Sequence, residues 1–424
     1  MSEQLTTSRN EDITAAGRPM SGWLHLLATL LAGIAIVSSA FHFWPFQSSK
    51  AWQIFCTQNL AVLVWILFLA RYFLVKRAYW TIGSSLPHLS ILAYLTVSIL
   101  SMAFAPDLSR AANFSIKLAL VLVGGYTLFS YAICNARTLQ IVYGCMTAAA
   151  VISVSYCLIG RFGFDFDNFG FHYNAYKYGT YIGILSPLCG AYLFTSPRPL
   201  MRLLGTVLVM GAFVSSGSLG ALAAITLGAG TLAILTRGWP VRLCITISLL
   251  CGVGLLFLLG SNPVISVLHN DLKLADEDGV NLKQRYIEWQ AEVNLLEERP
   301  LTGTGAGCIN QYRSNFYYRL PKLNTLKAFD QNGWLATGAE IGILGLVCFC
   351  WIAARYFSLA LSQVRAACEK EFTTAYRFAT VNLAGLVAAC TANLFSSLHY
   401  NGILIVFVLV LVLIDRTELL CGDL

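Results

Sequence analysis

Apolar residues along this chain gather into long blocks instead of recurring singly, and the polar and charged positions fall between the blocks. A block of about 16 to 24 residues, rising about 1.5 Å per residue as a helix, is long enough to cross a hydrocarbon core of about 30 Å. The pattern predicts helical spans at about 24–45, 54–75, 87–104, 112–134, 138–160, 178–196, 203–216, 219–236, 243–260, 333–354, 378–397 and 402–415. Alternation at period 2, which an outer-membrane barrel requires, is missing. The expected architecture is all-α, a polytopic membrane protein of about twelve transmembrane helices with one large periplasmic loop that contains an amphipathic helix. It divides into a cytoplasmic leader over 1–23, nine helices over 24–260, the loop over 261–332, three helices over 333–415 and a cytoplasmic tail over 416–424.

Composition and charge then narrow the classes. The chain is 57% hydrophobic and 12% charged, against about 45–50% and about 25% in soluble proteins, which excludes a soluble enzyme. The net charge of +7 must be divided between two sides before it suggests nucleic acid. With a cytoplasmic N-terminus, the inner loops carry Arg71, Lys76 and Arg77, then Arg137, Arg198, Arg202, Arg237 and Arg242, then Arg355, Arg365, Lys370, Arg377 and Arg416. Every inner loop is then basic, as the positive-inside rule requires, and no nucleic-acid partner is expected. The leader is neutral to slightly acidic and further spans follow the first, so a cleaved signal peptide is not expected. Most of the thirteen cysteines lie inside apolar blocks and read as small core residues.

Two outer segments are longer than turns, about 161–177 and about 261–332. The second begins acidic, but from Arg299 to Lys327 it holds Arg313, Arg319 and Lys322 and no acid. A basic outward surface beside a membrane suggests either an anionic ligand or anchoring to lipid headgroups. Within it Leu282, Tyr286, Trp289, Val293 and Leu296 fall within roughly 80° of arc at 100° per residue, the mark of an amphipathic helix with Arg285 on the edge of its stripe. Arg299-Pro300 ends that helix and Gly303-Thr-Gly305-Ala-Gly307 forms a flexible turn. The glycines have the density of a dinucleotide fingerprint, but no strand precedes them, and a nucleotide site is not expected. Asp165-Phe166-Asp167 has a spacing that can hold a divalent metal or form an ordinary acidic loop tip; no metal and no cofactor is assigned.

The order of features resembles the bacterial O-antigen ligase and polysaccharide polymerase superfamily. The residues that carry the resemblance are Arg285-x-x-x-Trp289, Pro300-x-x-Gly303-x-Gly305, Asn332-Gly-Trp-Leu335 and Glu340-Ile-Gly342-Ile-Leu-Gly345. Weaker elements are Phe171-His172-Tyr173-Asn174 with Gly179, and Ser216-Gly-Ser218-Leu219-Gly220 at an outer turn. The resemblance implies transfer of an oligosaccharide from an undecaprenyl-diphosphate carrier to a sugar hydroxyl, on the periplasmic side of the inner membrane. The implied partners are that lipid-linked donor, a glycan acceptor, membrane lipids and a chain-length regulator.

Arg285 has the family position for binding the donor diphosphate, a task suited to a guanidinium fork. Lys177, Lys117, Arg313 and Arg319 are candidates beside it, with Lys117 alternatively snorkelling to the interface. Two departures are visible. Leu219 stands where ligases have an arginine, and Gln331 stands where they have a histidine. An amide cannot act as general base, so Asp330 and His172 are the candidates for that role. Asp330 or Asn332 alternatively caps the span beginning near Gly333. Both departures point to the polymerase branch, with ligase activity as the alternative and an inactive relative also compatible. Twelve spans also suit a secondary transporter, but the two halves show no repeat.

Overall fold

A computed structural model describes residues 22–40, 57–76, 87–162, 175–216, 218–236, 238–258, 282–309, 311, 332–369, 373–399 and 401–422. Among these residues the chain is all-helical. In chain order the helices are α1 (Gly22–Ser39), α2 (Thr57–Lys76), α3 (Leu89–Ser101), α4 (Leu108–Ala119), α5 (Tyr126–Ala132), α6 (Ala136–Phe162) and α7 (Ala175–Phe194). They continue as α8 (Pro199–Ser216), α9 (Leu219–Leu235), α10 (Trp239–Leu258), α11 (Leu282–Glu298), α12 (Gly333–Glu369), α13 (Thr373–Asn393) and α14 (Asn401–Gly422). A helix occupies each of the twelve apolar segments. The segment expected at 112–134 starts earlier, because the Asp107 carboxylate accepts from the Arg110 amide at 3.0 Å and caps the helix at Leu108.

α4 and α5 form one rod joined by a π-helical turn, Leu120–Gly125. A Cβ at Gly124 would sit 2.6 Å from Val62 and Ile66, so this glycine lets the rod press against α2. α12 is broken near its start. Gly342 has φ 84° and ψ −179°, a region open only to glycine, and it separates a short N-terminal piece from the long remainder.

Inside the bundle α14 is the axis: all of residues 403–414 are buried. A helix apolar all round belongs in such a place. α7, α9 and α13 pack together through small residues, with Gly183 facing Ala221 and Ala224, and Gly228 facing Pro187 and Ala388. The rim carries large apolar side chains turned fully outward, such as Leu26, Leu67, Leu200, Leu250 and Ile234, the last 79% exposed. Asn382, Glu288 and Glu292 are meanwhile fully buried. This inverted distribution suits a lipid solvent. Leu108–Ala132, Ala136–Ile159, Pro199–Ser216 and Gly333–Cys368 are each long and apolar enough to cross a membrane, and the chain is a membrane protein.

The two ends of the bundle differ in their polar contacts. At the arginine end, Arg377 bonds Thr195 Oγ1 at 2.8 Å and the Tyr192 carbonyl at 2.7 Å, with its guanidinium 4.7 Å over the Tyr192 ring. Arg202 and Arg242 donate to the Ser196 and Thr236 carbonyls. Tyr143 donates to Asn382, which donates to Thr417 and the Leu413 carbonyl. Tyr126 and Tyr356 both donate to Asp415 Oδ2, Tyr356 at 2.8 Å. The other end holds the glycine turn.

Candidate functional site

The site is organised by the short connection 394–399 between α13 and α14. Its own shape is set by side chains: Asn393 Oδ1 accepts from the Leu398 amide at 3.1 Å, and Ser397 Oγ from the His399 amide at 3.2 Å. From it three contacts reach different parts of the chain. Phe395 lies over Gly220, where a Cβ would come within 2.9 Å of the ring. Asn393 and Ser397 close over Gly333, where a Cβ would sit 3.0 Å from Ser397 Cα. His399 Nε2 pairs with the Tyr94 hydroxyl at 2.8 Å, and Phe114 meets the imidazole edge-on at 5.5 Å.

The glycine turn docks beside this connection. Gly303, Gly305 and Gly307 have φ of 61°, 89° and 74°, left-handed conformations that cost an L side chain about 1–3 kcal/mol. They are also crowded: a Cβ at Gly305 would come within 2.6 Å of Ala105 Cα, and one at Gly307 within 2.9 Å of Phe114 Cβ. The turn and the α12 break interlock. The Thr304 amide donates to the Ala339 carbonyl at 2.9 Å, and the Ile343 amide to the Pro300 carbonyl at 2.7 Å. The break thus finds partners for backbone groups that a continuous helix would satisfy internally. Glu340, next to the break, is buried and close enough to Cys308 for its charge to act there. Burial is the main cause that pushes the Cys308 thiol pKa above its ordinary value, which keeps the thiol unreactive.

Among the residues expected from sequence, the structure brings several to this end. Asn332 Oδ1 accepts from the Trp334 and Leu335 amides at 3.0 and 3.2 Å, so Asn332 caps α12. Gly303, Glu340 and Gly342 form the interlock, and Gly305 packs on Ala105. Lys117 stands 5.5 Å over the Phe114 ring, the same ring that meets His399. Lys177 is half-buried in the first turn of α7, two residues before Gly179, which packs on Ser218 and Ala221. Ser218 in turn caps α9 through the Ala221 amide at 3.2 Å.

α11 forms as expected and packs on the first part of α12, with Leu295 clustered against Ile309, Ala336 and Ala339. Its buried face is Glu288, Ala291, Glu292 and Leu295, about a third of a turn from the apolar stripe. Trp289, Val293 and Leu296 of that stripe are only half-buried. In a membrane protein the polar face turns toward the protein and the apolar one can face lipid, which is the reason for the offset. Arg285 lies on α11 between the two faces, but its side chain is outside the described residues, as are His172, Arg313, Arg319, Asp330 and Gln331. The D-x-D segment at 165–167 lies outside them too.

This arrangement suits a particular kind of protein. Residues 204–350 match the O-antigen ligase family model. The match runs from α8 through the Ser218 turn, α11 and the glycine turn into α12, and so contains the specific part of the resemblance read from sequence. It supports the O-antigen ligase and polysaccharide polymerase superfamily, whose members are glycosyltransferase-like membrane enzymes of polysaccharide biosynthesis. No curated protein matches the chain.

Sequence reading missed the connection 394–399, which lies outside the matched stretch. The signal present was a polar interruption, Ser396-Ser397-Leu398-His399, between two strongly apolar blocks. Nothing local showed that His399 would meet Tyr94, 305 residues earlier.

Proposed function

We propose that the chain is a polymerase that joins undecaprenyl-diphosphate-linked repeat units of a surface polysaccharide. The observation that carries this is the gathering of Lys117, Lys177 and the Arg285-bearing helix at one end of the bundle, around the family segment. In the reaction an acceptor hydroxyl oxygen bonds the anomeric carbon of the donor glycan. The bond from that carbon to the diphosphate breaks, and its electron pair leaves on the phosphate oxygen. The growing negative charge is what guanidinium and ammonium groups stabilise. Arg285 binds the diphosphate, with Lys117, Lys177, Arg313 and Arg319 adding positive charge.

The loops at the arginine end are basic, so with twelve crossings that end faces the cytoplasm and the glycine-turn end the periplasm of the inner membrane. Leu219 and Gln331 favour polymerase over ligase, because a ligase meets a fixed acceptor core while a polymerase's acceptor side follows its repeat unit. The matched family is that of O-antigen ligases, and a deletion strain separates the two reactions. A deletion strain of a polymerase accumulates single repeat units on carrier or final acceptor. Long polymer stranded on the carrier would instead assign the ligase reaction. Hydrogen bonds to charged groups contribute about 1.5–3 kcal/mol each, so Arg285→Ala is expected to cut turnover roughly tenfold to a hundredfold. Full turnover in an inserted Arg285→Ala protein removes Arg285 from the site.

A further inference from the structure

We propose that His399 is the general base that takes the proton of the attacking acceptor hydroxyl; the proposal rests on the transfer reading above. Glycosyl transfer to a hydroxyl releases a proton that a side chain within hydrogen-bonding reach must accept. Imidazole is the group whose charge changes between about pH 5 and 8, and Gln331 has no such capacity. His399 stands where the family segment, the Lys117 helix and the connection 394–399 meet.

Both ring nitrogens are held. Nδ1 lies 3.0 Å from Ser397 Oγ and Nε2 lies 2.8 Å from the Tyr94 hydroxyl. Ser397 Oγ already accepts from the His399 amide, so its hydroxyl proton goes to Nδ1 and Nε2–H goes to the Tyr94 hydroxyl. This order, assigned from the network, leaves Nδ1 as the basic nitrogen. It also fixes the ring, in the way an orienting partner fixes a catalytic histidine.

Beside it, Asn393 Nδ2 is a buried donor with no hydrogen-bond partner among the described residues. Asn393 shares the connection with Ser397 and His399, and an open amide there can donate to a sugar hydroxyl. The Phe114 ring touches both the imidazole and the Lys117 ammonium, which puts a cation suited to the leaving group in the same neighbourhood as the base. The titratable or charged groups around this cluster include Tyr94 from α3, Asp107 before α4, Arg110 and Lys117 from α4, Cys308 from the glycine turn, and Glu340 and Cys348 from α12.

In the step itself, the acceptor hydroxyl takes the place of Ser397 Oγ at Nδ1. Its proton passes to Nδ1 as its oxygen bonds the anomeric carbon, the carbon–oxygen bond to the diphosphate breaks, and the electron pair departs with the diphosphate. The imidazolium then returns the proton to water.

The test uses the full-length protein in liposomes with carrier-diphosphate-linked repeat units, and reads kcat against pH. His399→Gln is expected to lower kcat by about 10²- to 10⁴-fold and to remove the acidic limb of the profile. Tyr94→Phe keeps the base and is expected to lose less than about tenfold, with the limb retained. Wild-type kcat and profile in His399→Gln overturn the proposal. So does an acidic limb that survives in His399→Gln but vanishes in Asp330→Asn. If His399→Gln fails to insert, carbethoxylation of the wild-type protein decides, read at His399 by mass spectrometry. Acceptor repeat unit should slow it, and an unchanged rate overturns the base. Wild-type protein that forms no glycosidic bond refutes the transfer reading and the base with it, whereas an active wild type matched by His399→Gln refutes the base alone.

Discussion

The two ends of this bundle are joined by different means. At the arginine end, long side chains reach across gaps: Arg377 to Thr195 and Tyr192, Asn382 to Thr417, Tyr126 and Tyr356 to Asp415. At the glycine-turn end, backbone meets backbone. Gly303 and Gly342 bring the turn and the broken helix so close that no Cβ fits, and among the described residues all four glycines of positive φ are found there. A side-chain pin can lengthen or rotate when one partner changes. A backbone contact without a Cβ has no such slack, and that rigidity suits the end where the proposed transfer takes place.

On this contrast, the largest effect comes from Gly342→Ala. It adds backbone strain to a collision with the Leu301 carbonyl carbon, 2.5 Å from the added Cβ. The expected loss is at least about 3 kcal/mol, seen as failure to accumulate or a strongly lowered thermal midpoint in detergent. A Gly342→Ala protein of normal midpoint would break the comparison. Asp415→Asn comes next: it keeps an acceptor but loses the charge that two tyrosines share, and about 1–3 kcal/mol of stability is expected to go. Its turnover at a temperature where it remains folded should match the wild type, since Asp415 belongs to the far end. Arg377→Lys gives up the two-point grip and the stacking for about 1–2 kcal/mol, again without a change in turnover. The smallest effect is at Gly144, inside α6, where an added Cβ would meet nothing within 4 Å. Gly144→Ala is expected to raise stability by roughly 0.5–1 kcal/mol, and a loss there would mean that glycines in this bundle matter for reasons other than close contact.

Much of this was legible in the sequence. The blocks of apolar residues located every helix of the bundle, because a run long enough to cross a bilayer has few other conformations open to it. Arg299-Pro300 and three close glycines announced the turn after α11. The α12 break was not legible, since Glu340-Ile341-Gly342-Ile343 reads as an uninterrupted apolar helix and only the docking of Leu301 and Thr302 explains the extended glycine. The burial of Glu288 and Glu292 was hidden for a related reason: hydropathy assigns a glutamate to water, while tertiary partners decide otherwise. His399 remained out of sight because its role depends on residues from α3, α4 and α12, none near it in the chain.

The π-helical turn at Leu120–Gly125 has a consequence for phase along the α4–α5 rod. In an unbroken α-helix, Lys117 and Tyr126 would lie nine residues and therefore about 180° apart, one facing the interior and the other the lipid. A π turn absorbs about one extra residue, which takes back roughly 100° and leaves the two within about a quarter of a turn. One rod can then show Lys117 to the neighbourhood of Phe114 and His399 while showing Tyr126 to Asp415. Gain or loss of a single codon in this stretch would rotate the two halves out of step, so the chain's length here is under tighter constraint than the identity of its leucines and valines.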